Sequence, residues 1–287
     1  MNPYMFPYEE PVRILIVDDQ IPQRRLECDI LSEDGFITVE AESGQEALTA
    51  LTQLTFDMVL VRINLPDING LEVCDRIRNQ LKLTRMPVLL VTENNTGVNL
   101  ARAFELGATD FISKPFRPIE LLIRVRSAIA QKQLADRLER AEAVLFTVGK
   151  MVEARVPLAG DHCARLSHCA LVFGKALGMD EPNLTALGRG GVLHDIGMLA
   201  VPERILSKPG PLSDSERRLI CRHTVIGEKL CRNLESTGRV GAIIRSHHER
   251  YDGSGYPDGL VGGEIPLLAR IFQIIDIYDA LAHPRPL

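Results

Sequence analysis

Residues 12–19 read Val12-Arg13-Ile14-Leu15-Ile16-Val17-Asp18-Asp19, a short apolar run that stops on two carboxylates. A run of this length, bounded by charge, reads as a buried strand rather than a helix of three or more turns. Working outward, the pattern recurs. Met58–Val61 precede Arg62, Val88–Val91 precede Thr92, and Phe111-Ile112 precede Lys114. Segments of helical period fill the gaps at 20–33, 44–54, 70–80 and 97–106, with Gly35, Gly44, Gly70 and Gly107 as punctuation. Strands alternating with helices predict right-handed βαβ units and an α/β doubly wound parallel sheet over residues 11–130. Such sheets work at the carboxyl ends of their strands. Asp18, Asp19, Arg62, Thr92 and Lys114 all fall there.

From Ile119 the pattern is one linking helix, 119–155. Leu134, Leu138, Ala141, Leu145, Val148 and Val152 step by 4, 3, 4, 3 and 4 residues, the a/d spacing of a helix seam. The seam suits either packing on the helix's own domain or pairing two chains into a homodimer. Beyond it the pattern is all-α, over 152–287. Ser207-Lys208-Pro209-Gly210-Pro211 reads as a loop, and Ser213 with Glu216 as a capping box that opens a helix.

The net charge of −5 argues against broad binding to nucleic acid or to an anionic membrane. A phosphate-bearing substrate would therefore need local positive charge or metal. No apolar run approaches the ~18–20 residues of a membrane span, and the N-terminal residues carry Glu9 and Glu10 rather than a basic leader. The six cysteines form no C-x-x-C pair. They read as thiols in a reducing compartment, and the expectation is a cytoplasmic protein.

Five of the seven histidines form a pattern with carboxylates: His162, His194-Asp195, His223, His247-His248, and then Asp276. Imidazoles mixed with carboxylates suit a first-row divalent metal such as Fe, Mn, Ni or Zn. Seven donors exceed what one ion takes. A carboxylate can bridge two cations where an imidazole nitrogen cannot, so two divalent metal ions sharing Asp195 are expected. Paired ions are a common device for splitting phosphate esters. His168 lies six residues from His162, off its helical face, and reads as ordinary packing.

The first 130 residues resemble a response-regulator receiver domain, which is flavodoxin-like. The match rests on Asp18-Asp19, Leu65-Pro66-Asp67-Ile68-Asn69-Gly70, Thr92 and Lys114-Pro115. In receivers an Asp at the end of the third strand accepts a phosphoryl group. Here Arg62 stands at that position, Asp57 begins the strand and Asp67 lies in the loop beyond. A guanidinium stays charged and cannot take the phosphoryl group. The expectation is a degenerate receiver, deaf to phosphorylation, with Arg62 in a bidentate pair with Asp18 or Asp19.

Residues 152–287 resemble the HD-GYP branch of the HD-type metal-dependent phosphohydrolases. The motifs are Leu193-His194-Asp195-Ile196-Gly197, His223-Thr224-x-Ile226-Gly227, His247-His248-Glu249-Arg250-Tyr251-Asp252-Gly253-Ser254-Gly255-Tyr256-Pro257, Glu264-Ile265-Pro266 and Asp276-x-x-Asp279. The resemblance implies hydrolysis of cyclic di-GMP to pGpG and, by a second cut, GMP. It implies metal ligands at His162, His194, Asp195, His223, His247, His248 and Asp276, and catalytic roles for Asp195, His223 and Lys208. Substrate would be held by Gly255, Tyr256, Pro257 and Arg285, and partners of diguanylate-cyclase type or other signalling proteins are implied. Three positions depart from the family. Met198 replaces a lysine thought to face the scissile phosphate. Leu158 replaces a glutamate that holds a third ion. The chain ends at Leu287, where the family continues with helices, so an exposed apolar face is expected. Two readings follow: a slow phosphodiesterase, and a non-catalytic sensor or scaffold that binds nucleotide or protein.

Overall fold

A computed structural model describes residues 11–93, 97–155, 161–232 and 237–283. The chain divides into two compact units, residues 1–136 and 137–287. In the first unit β1 (Arg13–Val17), α1 (Ile21–Glu33), β2 (Ile37–Ala41), α2 (Gly44–Gln53), β3 (Met58–Arg62), α3 (Gly70–Asn79), β4 (Val88–Thr92), α4 (Gly97–Glu105) and β5 (Asp110–Ser113) alternate. The first part of α5 (Pro118–Ala154) completes it.

The five strands run parallel in the order β2-β1-β3-β4-β5. Successive side chains point to opposite faces, and both faces are cores. Leu15, Val17, Val59, Val61 and Leu90 lie in one. Ile14, Ile16, Met58, Leu60, Leu89 and Val91 lie in the other. Burial on both sides is why the central strands read as unbroken apolar runs. β2 is the strand the run pattern misses. It is an edge strand, Ile-Thr-Val-Glu-Ala, with Ile37 and Glu40 exposed. The register pairs Val17 with Val61, Arg62 with Val91 and Thr92 with Ser113, so the carboxyl ends are level. That alignment brings Asp18, Asp19, Arg62, Thr92 and Lys114 to one edge.

The second unit is helical: the rest of α5, α6 (His162–Ala176), α7 (Glu181–Leu193), a 3-10 turn at Ile196–Ala200, α8 (Glu203–Leu206), α9 (Asp214–Cys221), α10 (His223–Cys231), α11 (Thr237–Ser246) and α12 (Leu267–Ala282). The expected Ser213–Glu216 capping box opens α9. Leu166, Leu187, Leu193, Ile243, Ile244 and Phe272 form the core. Gly197 needs to be glycine, because a Cβ there would strike the His223 carbonyl. This close approach locks the turn after α7 against the start of α10.

The seam on α5 is divided. Leu145 and Val148 pack against the second unit's core and Val152 is buried. Gly149 permits it, since a Cβ there would meet the Val192 carbonyl oxygen at 2.6 Å. From Leu145 onward the seam therefore serves its own unit rather than a second chain, while Leu134 stays exposed. α12 exposes Ile274, Ile277, Tyr278 and Leu281, an apolar stripe at i, i+3, i+4 and i+7. Among the described residues no helix is long and apolar enough to cross a membrane, and all six cysteines are free thiols.

Candidate metal centre

Helix ends deliver most of the donors. His162 opens α6, His194 and Asp195 follow α7, His223 opens α10, and His247-His248 follow α11. Asp276 reaches in from α12. The donors fall into two groups, Asp195 with His223, His247 and His248, and His162 with His194 and Asp276. Within each, the potential ligand atoms lie within 4.8 Å of one another.

Asp195 faces both groups. Its Oδ1 lies 3.2 Å from His223 Nε2 and 3.7 Å from His247 Nε2. Its Oδ2 lies 3.3 Å from His194 Nε2. His162 Nε2 stands 3.7 Å from Asp276 Oδ1.

The outward nitrogens decide the tautomers. His223 Nδ1 donates to the Ile220 carbonyl at 2.8 Å and His247 Nδ1 to the Ile244 carbonyl at 2.9 Å. A carbonyl oxygen only accepts, so each neutral ring carries its proton on Nδ1 and turns the Nε2 lone pair inward. Those two Nε2 atoms are 3.5 Å apart, and both face Asp195 Oδ1, which has no hydrogen-bond donor among the described residues. A buried cluster made only of acceptors calls for a cation. The residues present therefore fit a divalent metal.

The charges agree. Burial, with His247 alongside, pulls His248 down to about 2, and burial also lowers His247, so both imidazoles are neutral, the form that can ligate. Burial would lower His194 too, but Asp195 and Asp276 outweigh it and raise that ring to about 9. Asp195 is pushed up by burial, yet His194, His223 and His247 hold it well below the ordinary carboxylate range.

Two acidic residues of this unit support the donors. Asp279 is buried, and its Oδ2 accepts from His162 Nδ1 at 2.7 Å, while Arg165 Nε grips its Oδ1 at 2.7 Å. This carboxylate fixes the tautomer of His162 as the carbonyls fix those of His223 and His247. The signal was its spacing, three residues beyond Asp276 on one helix. Glu249 is fully buried and accepts from the backbone N–H groups of Asp258, Gly259 and Leu260. It organises the loop that carries Gly255-Tyr256-Pro257. Gly255 packs so closely that a Cβ would lie 2.5 Å from Glu249 Cα. Tyr256 stacks on His248, with ring centroids 4.8 Å apart at 28°.

Met198 is half-buried and lines a small cavity of about 60 Å³ with His162, His194 and Asp195. Glu153 also lines it, and accepts from the Cys163 N–H at the start of α6. Lys208 is not brought into the cluster by any described contact, because its ammonium is held by Glu216 of the capping box at 2.7 Å. His168 is exposed. Leu158 and Arg285 lie outside the described residues.

In the first unit, the guanidinium of Arg62 is buried among carboxylates. It does not form the expected two-point pair with a single aspartate. Nη1 donates to Asp19 at 2.5 Å, Nη2 donates to Glu93 at 2.6 Å, and Asp18 stands off at 3.7 Å. Asp18 is already committed, one oxygen to Lys114 Nζ at 2.7 Å and the other to the Gln20 N–H at 2.8 Å. Thr92 is buried at the same edge. The other two aspartates have structural roles. Asp57 accepts from the Arg13 N–H and Lys132, and Asp67 caps α2 through the Gly44 and Gln45 N–H groups.

Residues 14–126 match the family model of the response regulator receiver domain, and residues 147–287 match that of the HD domain. The cyclic di-GMP phosphodiesterase response regulator RpfG of Xanthomonas campestris is 33% identical over 299 residues, which cover 96% of this chain and 79% of that one. The chain belongs to the HD-GYP response regulators. Another similar protein is the cyclic di-GMP phosphodiesterase of Thermotoga maritima, 31% identical over 95% of this chain and 81% of its own. The 3′3′-cGAMP-specific phosphodiesterase 3 of Vibrio cholerae is 35% identical over 50% of this chain and 32% of its own. HD-type phosphohydrolases depend on divalent metal, and this HD-GYP regulator carries His and Asp groups placed to hold it.

Proposed function

We propose that the second unit is a two-metal phosphodiesterase that opens cyclic di-GMP to pGpG. The observation that carries this reading is the position of Asp195, with one oxygen toward each donor group. His223, His247 and His248 would hold one ion, His162, His194 and Asp276 the other, and Asp195 both. When bound, the ions neutralise phosphate oxygens and lower the pKa of an attacking water. Water oxygen adds to phosphorus, the bond from phosphorus to the 3′ oxygen breaks, and that oxygen leaves with a proton as the 3′ hydroxyl. The chain's own residues orient these events. Asp279 and the Ile220 and Ile244 carbonyls keep the imidazole lone pairs inward, and Tyr256 offers an aromatic face next to His248.

Met198 supports a slow enzyme. Its thioether occupies a site beside His194 and Asp195 where a lysine would add positive charge. One missing transition-state contact costs on the order of 10²–10³ in rate, a small part of a typical acceleration of ~10⁶ or more. The same residue also supports the second reading, a scaffold that binds nucleotide without cutting it. For the first unit we infer a receiver that works without phosphorylation, because Arg62 fills the acceptor position with a charge already paired to Asp19 and Glu93.

The test is chromatography of cyclic di-GMP incubated with the full chain and Fe, Mn, Ni or Zn in turn, with 3′3′-cGAMP as a parallel substrate. Turnover lost in Asp195→Ala supports the enzyme. Binding with no turnover under any metal supports the scaffold. Turnover of 3′3′-cGAMP alone would move the substrate to that dinucleotide.

A further inference from the structure

α9 and the first turn of α10 turn one face toward the Tyr256 loop. Asp214, Arg217, Arg218, Cys221, Arg222 and Val225 recur on it at helical spacing. With Tyr256 and Pro257 they line an open pocket of about 400 Å³. Its wall carries three guanidiniums against one carboxylate, on a chain whose net charge is −5. All three arginines are exposed, and among the described residues none of them makes an ion pair. Three like charges on one lip, with no ion-pair partner among the described residues, form a local anion-attracting field. A guanidinium fork matches both a phosphodiester and the O6/N7 edge of guanine.

The pocket is joined to the metal centre. Tyr256 belongs to both, since its ring stacks on His248 and meets His223 edge-on, at 6.4 Å between centroids. Arg222 directly precedes His223, and the hydrogen bond from His223 Nδ1 to Ile220 ties α9 to that ligand. An anion in the pocket would share Tyr256 with the metal centre. A cyclic dinucleotide has this form, two phosphodiesters in one ring with a purine beside each.

We propose that this arginine-lined pocket binds the uncut phosphodiester of the cyclic dinucleotide with its guanine, Arg217 and Arg218 holding the anion and Tyr256 stacking on the base. The proposal rests on the phosphodiesterase reading and adds a specificity site to it. The metal centre alone would not tell one diester from another; the pocket selects diesters that carry a second phosphate.

The experiment compares the full-length, metal-loaded protein with R217Q/R218Q, both positions being exposed and free of ion pairs. Two substrates are used, cyclic di-GMP and bis(p-nitrophenyl) phosphate, which has one phosphate and needs only the metal centre. The expected result is a rise of roughly 10–100-fold in KM for cyclic di-GMP, the loss of charge-assisted contacts, with kcat within about twofold and bis(p-nitrophenyl) phosphate cleavage unchanged. A KM for cyclic di-GMP unchanged in the double variant overturns the pocket and leaves the phosphodiesterase standing. Equal loss on both substrates also overturns it, since the arginines would then serve the fold or the metals. If wild type cleaves bis(p-nitrophenyl) phosphate but neither binds nor cuts cyclic di-GMP, both the pocket and the substrate assignment fall.

Discussion

Replacing Asp279 by asparagine should weaken metal binding although Asp279 touches no ion. Its two oxygens accept from His162 Nδ1 at 2.7 Å, Arg165 Nε at 2.7 Å and Arg165 Nη2 at 3.1 Å, and His283 Nδ1 stands 3.2 Å from Oδ1. Asparagine has nearly the same shape, so no cavity opens, but it offers one acceptor oxygen and a donating amide. The guanidinium is always charged and takes the oxygen. The amide then faces His162 Nδ1, and the imidazole can pair with it only by accepting there. Its proton moves to Nε2 and covers the lone pair meant for the cation. Ligation must break that arrangement, at a cost of about 1.5–3 kcal/mol for a lost charge-assisted hydrogen bond. At 1.4 kcal/mol per tenfold, that is a loss of roughly 10–100-fold in affinity, the range seen when carboxylates behind metal-bound histidines are removed. Competition against a chromogenic chelator near neutral pH measures it, with Asp57→Asn in the other unit as control. The weaker-binding ion should be lost first. If both ions bind within about twofold of wild type, the positioning argument for Asp279 is wrong.

Met198→Lys should raise the turnover of cyclic di-GMP by up to about 100-fold, since the side chain lines the cavity beside His194 and Asp195; an unchanged kcat would remove Met198 as the cause of slowness. Glu27 is buried in the first unit, and burial, opposed by Lys114, raises its carboxyl from 4.5 to about 7. The folded state therefore holds that proton more tightly than the unfolded chain, so the contribution to stability is full below about pH 4.5 and is lost as pH rises through 7, by roughly 3 kcal/mol at most. Denaturant unfolding of wild type should show the first unit weakening between about pH 5 and 8, while Glu27→Gln is flat; parallel curves would contradict this. A small phosphodonor with Mg²⁺ should leave no acyl-phosphate on wild type and should label Arg62→Asp, and stoichiometric labelling of wild type would show that another carboxylate is the acceptor.

Residues with strong local signals were readable from the sequence. The central strands announce themselves because both faces of the sheet are covered, and β2 does not, because an edge strand with Thr38 and Glu40 shows no apolar run. The seven donors stand out as His and Asp in a chain otherwise poor in histidine, and all seven fall into the two close groups. Asp279 and Glu249 are different. Each acts through another residue, and an aspartate that grips Nδ1 of a ligand looks in sequence like any aspartate on a helix. The partners of Arg62 were half legible. Asp19 was one of two candidates, but Glu93 belongs to the turn after β4, and only the level ends of the strands bring it within 2.6 Å. The seam on α5 shows the limit of periodicity, which marks an apolar stripe without saying what covers it. Gly149 decides that from Leu145 onward, by admitting the Val192 carbonyl.

Metal content per chain is the most direct test of a shared-carboxylate centre. Elemental analysis of the full-length protein, reconstituted with Mn or Fe and freed of excess ions, should give about two ions per chain for wild type and a clear loss for Asp195→Ala. A wild-type protein that retains no divalent ion, or an Asp195→Ala protein that still holds two, would contradict the account.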